Sequence, residues 1–198
     1  MENIKSSYIL RLTPCIIFIL LASCQNPTQQ ASVQKPYFDL ISFFDEQISR
    51  LEKDSLVVMK TSSINGQTDE HQMDWTDWRR EFALFLASDI NKTSLIGKYA
   101  VDTTHILSGE DSGNVKIRYA AQDSAMHTRL LEVTLNNHHV KDIHIINKSS
   151  SFLSSFSEDL FYLPMKAYVI KTSTKNSFFG GNDFSVLGLI TSKQRKYF

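Results

Sequence analysis

From Tyr99 onward, apolar and polar residues alternate with a period of two. Val115, Ile117 and Tyr119 alternate with Lys116 and Arg118, and Leu131, Val133 and Leu135 alternate with Glu132 and Thr134. A strand sends successive side chains to opposite faces, so this pattern demands a sheet with one apolar face. Further strands are expected over Lys141 to Asn147, Lys166 to Thr172 and Phe184 to Ile190. The clusters Gly109 to Asn114, Asn136 to His139 and Ser173 to Asp183 supply turn residues at spacings that suit an antiparallel meander. The Ser-rich stretch Lys148 to Ser157, with Phe152, Leu153 and Phe156, reads as an irregular segment lying on the core.

Upstream the period is helical. Tyr37, Leu40, Ile41, Phe44, Ile48 and Leu51 recur at three- and four-residue steps after Pro36, which predicts an amphipathic helix to about Lys53. Asn65-Gly66 supplies the positive φ values of a tight turn between expected strands Leu56 to Ser62 and Gln67 to Met73. A second helix is expected from about Trp75 to Asn91, capped by Asp74, with Trp78, Phe82, Phe85 and Ile90 on its apolar face. Two helices around a hairpin and then about five strands predict an α+β domain over residues 36–198. Its expected form is a bent antiparallel β-meander with the helices packed on one face.

The N-terminal segment has a different character. Lys5 and Arg11 flank a leader with one acid, Glu2, and an apolar run of about eleven residues follows from Leu12 to Ala22. As a helix that run covers roughly 16 Å, too short for a hydrocarbon core of about 30 Å. Leu21-Ala22-Ser23-Cys24 resembles the lipobox of bacterial lipoproteins. The resemblance implies a cleaved signal peptide over residues 1–23 and acyl chains, palmitate among them, on Cys24. Cys15 is the poorer candidate, because Pro14 precedes it and most of the apolar run follows it. Residues 24–35 are polar and without periodicity, which suits a disordered tether.

Gln25 after the cysteine resembles lipoproteins sent to the outer membrane, and no acid occurs between Cys24 and Asp39. That implies an outer-membrane protein, lipid-anchored and facing the periplasm. The helix, hairpin, helix and meander pattern resembles uncharacterised lipoproteins of the Bacteroidota over most of the mature chain. A more distant architectural likeness is to the open half-barrels that shuttle lipids and lipoproteins through the periplasm.

Charge and cysteine usage narrow the function classes. Removing residues 1–23 takes Lys5, Arg11 and Glu2 from totals of 21 basic and 21 acidic residues. A balance near zero argues against nucleic acid, whose binding rests on phosphate neutralisation. Once Cys15 leaves with the leader and Cys24 takes lipid, the body has no disulfide, no thiol nucleophile and no cysteine metal ligand. No cofactor is implied.

Catalytic templates are missing: no G-x-S-x-G elbow, no H-E-x-x-H, no phosphate-binding glycine loop and no calcium loop. The candidate chemistry is a histidine group. A five-residue turn from Leu135 to Lys141 would set Glu132 opposite His144, with His138 and His139 nearby and His127 on the preceding strand. Such a group suggests a metal-dependent or hydrolytic site, although the spacing matches no known ligand series. Turn and solvent-facing strand positions are the simpler account. Trp75 and Trp78 suit either core or a stacking surface, and Gly180-Gly181 suits a flexible loop. Asp54-Ser55-Leu56, Asp102-Thr103-Thr104 and Asp123-Ser124-Ala125 resemble O-glycosylation sites of exported Bacteroidota proteins. The reading favoured by these residues is a lipid-anchored, non-catalytic binding or envelope-maintenance module, with a lipid, peptide or protein as ligand.

Overall fold

The computed structural model describes residues 35–73, 75–107, 109, 111–178 and 180–193. The expected signal peptide, nearly all of the tether, Cys24 and the Asp74 cap lie outside the described residues. Helix α1 spans Leu40–Lys53, α2 Trp78–Glu81 and α3 Ala83–Ala87. The strands are β1 Leu56–Ile64, β2 Gln67–Gln72, β3 Tyr99–His105, β4 Val115–Ala121, β5 Thr128–Asn136, β6 His139–Ser150, β7 Ser154–Leu163, β8 Ala167–Asn176 and β9 Gly180–Ser192. All nine form one antiparallel sheet in the order β2-β1-β9-β8-β7-β6-β5-β4-β3.

This architecture corrects the α+β expectation, because the domain is mostly β. The second helix is not a long one. Asp77 caps it, its side chain accepting from the Arg80 N–H, and the helix breaks at Phe82 (φ −93°, ψ 12°) before α3 begins. Packing is what breaks it. Trp78, Phe82 and Phe85 are all fully buried, while Asn91 is drawn away to accept from the Tyr37 N–H and donate to the Phe38 carbonyl. The hairpin is no separate layer either, since β1 pairs along its whole length with β9. The serine-rich segment is largely strand: β6 runs on to Ser150 and β7 starts at Ser154.

One face of the sheet carries the core. Leu131, Ile145, Leu160, Ile170 and Val186 lie in one cross-strand row, and Val133, Ile143, Tyr162, Tyr168 and Gly188 in the next. Leu40, Phe44, Ile48 and Leu51 of α1 belong to the same buried cluster. Asp39 caps α1 by accepting from the Ser42 N–H at 3.0 Å, and Arg50 and Lys53 sit where the helix dipole favours cations. The space between helices and sheet is filled by rings. Phe44 lies 5.1 Å from Phe82, 5.2 Å from Phe85 and 5.0 Å from Tyr162, centroid to centroid. Each such pair adds about 0.5–1.5 kcal/mol beyond area burial. No helix among the described residues is long and apolar enough to cross a membrane.

Candidate functional site

The sheet face turned away from the helices carries the chemistry. Asp102, Arg118, Glu132 and His144 stand in register across β3 to β6, acid alternating with base. The register of Glu132 opposite His144 agrees with the alternation in sequence, but the turn differs. Asn137 and His138 form a two-residue turn with φ of 47° and 66°, and a bulge between Thr134 and Leu135 absorbs the extra residue.

His144 is held between two carboxylates. Its Nε2 lies 2.8 Å from Asp159 Oδ1 and its Nδ1 3.7 Å from Glu132 Oε2. Lys116 and Arg118 reach the same Glu132 at 3.8 and 3.5 Å. Two cations thus share the Glu132 carboxylate, and such exposed pairs contribute about 0.2–1 kcal/mol apiece. The neighbour that sequence reading missed is Asp159, which lies on β7, the strand hidden in the serine-rich segment.

The expected histidine group is not assembled. His138 sits in the turn and His139 opens β6, five residues or roughly 16 Å of strand from His144. His139 lines a separate cleft of about 420 Å³ beside Leu163, Pro164 and Lys166. His127 immediately precedes β5, where its carbonyl accepts from the Lys148 N–H at 2.8 Å. Among the described residues, no three of His, Cys, Asp and Glu are placed to hold a metal ion. The hydrogen-bond partner of His144 is a carboxylate, with no hydroxyl in that place for the ring to activate. Of the four candidates, only Glu132 and His144 are brought together, as neighbours in a ladder of acidic and basic side chains.

Two adjoining cavities open on the same face. One of about 400 Å³ is lined by Lys116, Glu132, His144, Phe161 and Val169; the other, about 510 Å³, by Ser63, Ile146, Lys148, Ser173 and Asp183. They share Asp159 and Lys171. Together they reach from β4 across to β1, roughly 29 Å at 4.8 Å per strand. The alternation that buries one face of β7, β8 and β9 leaves Phe161, Val169 and Leu187 in line on the other. An apolar row results, flanked on one side by Asp159 and Lys171 and on the other by Leu163, Ala167 and Leu189.

No known protein family matches this chain. No curated protein matches it either. A solved structure, an S-type phycobiliprotein lyase from Guillardia theta, aligns over 78% of this chain and 99% of its own at 8% identity, with a TM-score of 0.24. That similarity assigns neither fold nor function.

The other sequence candidates divide. Trp78 is core at 1% exposure, whereas Trp75 is 74% exposed. Gly181 is no flexible loop residue: a Cβ there would meet the Thr174 carbonyl oxygen at 2.7 Å across the β8–β9 hairpin. Ser55, Thr103 and Ser124 are all exposed. A buried polar centre also escaped sequence reading. Lys60 donates to Glu81 Oε1 at 2.5 Å, and the Tyr168 hydroxyl donates to Glu81 Oε2. Burial raises the Tyr168 hydroxyl pKa far above its ordinary value, and the Glu81 carboxylate adds to the rise. Tyr162 is pushed up to about 12, again chiefly by burial.

Proposed function

We propose that this chain is a lipid-anchored protein of the bacterial envelope whose folded domain is a non-catalytic binding module. Its ligand lies across the strands, in the groove on the helix-free face. The observation that carries this reading is the pair of cavities sharing Asp159 and Lys171. On the opposite face, rings fill the space under the helices. Charges of both signs flank one side of the apolar row, which suits an extended peptide segment better than an acyl chain. Leu21-Ala22-Ser23-Cys24 supports the anchor, and Gln25 with no acid before Asp39 supports an outer-membrane, periplasm-facing address.

The test is native mass spectrometry of protein purified from its own membranes, as wild type and as Val169→Trp. A peptide adduct on the wild type that is lost in the variant, at unchanged thermal stability, is the expected result. A lipid adduct would overturn the peptide assignment, and identical spectra without adduct would overturn the groove.

A further inference from the structure

Three hairpin turns meet at one end of the sheet, and two of them carry large exposed apolar residues. Tight turns ordinarily use Gly, Asn, Asp or Ser. In the β6–β7 turn, Ser151 donates its N–H to the Ser154 carbonyl at 2.7 Å, leaving Phe152 and Leu153 at the two central positions. Phe152 is 96% exposed, and Phe178 of the β8–β9 turn is 75% exposed. Ile64, beside the β1–β2 turn, is exposed as well.

These tips are fastened to one another. The Ser177 N–H donates to the Leu153 carbonyl at 3.0 Å, and the Asn65 N–H donates to the Asp183 carbonyl at 3.0 Å. Asn65 Oδ1 also accepts from the Asp183 N–H at 3.0 Å. Beyond Asn147, the last buried residue of β6, the strand continues three residues, about 10 Å, before turning. A firm scaffold thus presents apolar side chains clear of the core.

Beyond the cross-strand row that holds Lys148 and Asp183, the two tips carry Lys175 and no acid. Between positions 148 and 157, and between 171 and 182, the sequence holds Lys148, Lys171 and Lys175 and no acid. All three lysines are exposed. Asp183 shares its row with Lys148, and Asp159 pairs with Lys171, where all four line the groove.

We propose that the β6–β7 and β8–β9 tips dock into an anionic phospholipid bilayer, with Phe152, Leu153 and Phe178 entering the acyl boundary and Lys148 and Lys175 meeting the headgroup phosphates. Apolar side chains bury their surface there, and lysine heads remain in the polar layer. Each lysine near an anionic surface adds attraction that salt screens. The inference is independent of Cys24, and of the residues it uses only Lys148 also lines the groove.

The experiment uses the full chain reconstituted in vesicles of phosphatidylcholine and phosphatidylglycerol with brominated acyl chains. Phe152→Trp and Phe178→Trp each add one indole to the background of Trp75 and Trp78 measured in the wild type. The added emission should shift to the blue and fall about twofold on bromination, as expected for a residue at the acyl boundary. Adding Lys148→Glu and Lys175→Glu should abolish that quenching while thermal unfolding stays unchanged. An added indole that remains unquenched overturns the proposal. So does quenching equal in pure phosphatidylcholine, which removes the charge contribution, or protection that appears only with a second protein present.

Discussion

The ring of Tyr168 fills the space that a side chain at position 188 would occupy: a Cβ built on Gly188 would lie 2.2 Å from the ring's Cζ. The two residues are cross-strand partners on β8 and β9, so the missing side chain of one makes room for the other. Gly188→Ala should therefore cost about 1–3 kcal/mol through overpacking, read as a lower urea midpoint. Combined with Tyr168→Ala, its further cost should shrink, a coupling that a double-mutant cycle measures. Additive losses would show that the ring moves aside freely.

Alkaline stability follows from the buried tyrosines. Burial raises Tyr99 and Tyr162 to about 12, and Tyr119 and Tyr168 above their ordinary value of 10.0. A folded-state pKa above the unfolded one gives stability that is fully present below pH 10 and lost as the pH rises toward 12. In that window the unfolded chain releases protons that the folded chain keeps, so each tyrosine takes away about 1.4 kcal/mol per pH unit. Urea midpoints should be level between about pH 8 and 9.5 and fall steeply from pH 10. A flat profile to pH 11.5 would refute the buried placement.

Asn147 holds together the polar contacts beneath α3. Its Nδ2 donates to Ser88 Oγ and to Glu158 Oε2, both at 2.8 Å, while its buried Oδ1 has no hydrogen-bond partner among the described residues. Asn147→Ala withdraws the donor from a carboxylate that is only 5% exposed and should cost about 1–3 kcal/mol. Asn147→Asp sets a second carboxylate beside the first, so it should destabilise more at pH 7 than at pH 4. Equal losses at the two pH values would indicate that solvent reaches Glu158.

Cys24→Ser removes the acylation site that the lipobox resemblance implies. Wild-type protein should take radioactive palmitate and lose the mass of residues 1–23, and the variant should do neither. At about 0.8 kcal/mol per buried methylene, no contact of the tether replaces the lost chains. Wild-type protein without label would end the lipoprotein reading.

Particular residues explain what could be read in advance. Glu132 opposite His144 was legible from the period of two, and the bulge between Thr134 and Leu135 restores that register although the turn is shorter than expected. Asp159 was not, because the serines at 154, 155 and 157 dilute the apolar alternation that would have revealed β7. The helix expected over Trp75 to Asn91 has its apolar spacing right at Trp78, Phe82 and Phe85. Only the packing of those rings on Phe44 and Tyr162 reveals the break at Phe82. The long reach from β1 to β9 leaves no local trace at all. The groove was beyond reading for the same reason, since its walls come from strands that meet only in the finished sheet.

The place of β1 between β2 and β9 has a further effect on how the chain matures. Asn65 and Asn182, bonded side chain to side chain, are separated by 117 positions, so the first strand has no inner neighbour until the last one has been made. A polypeptide delivered N-terminus first through a narrow channel would present the β1–β2 hairpin early and leave the inner edge of β1 open until β9 emerged. Such late completion delays folding by the loop-closure cost of distant pairing. If the chain is exported as proposed, it also stays threadable on the way, and a product truncated before Gly180 becomes a target for proteolysis.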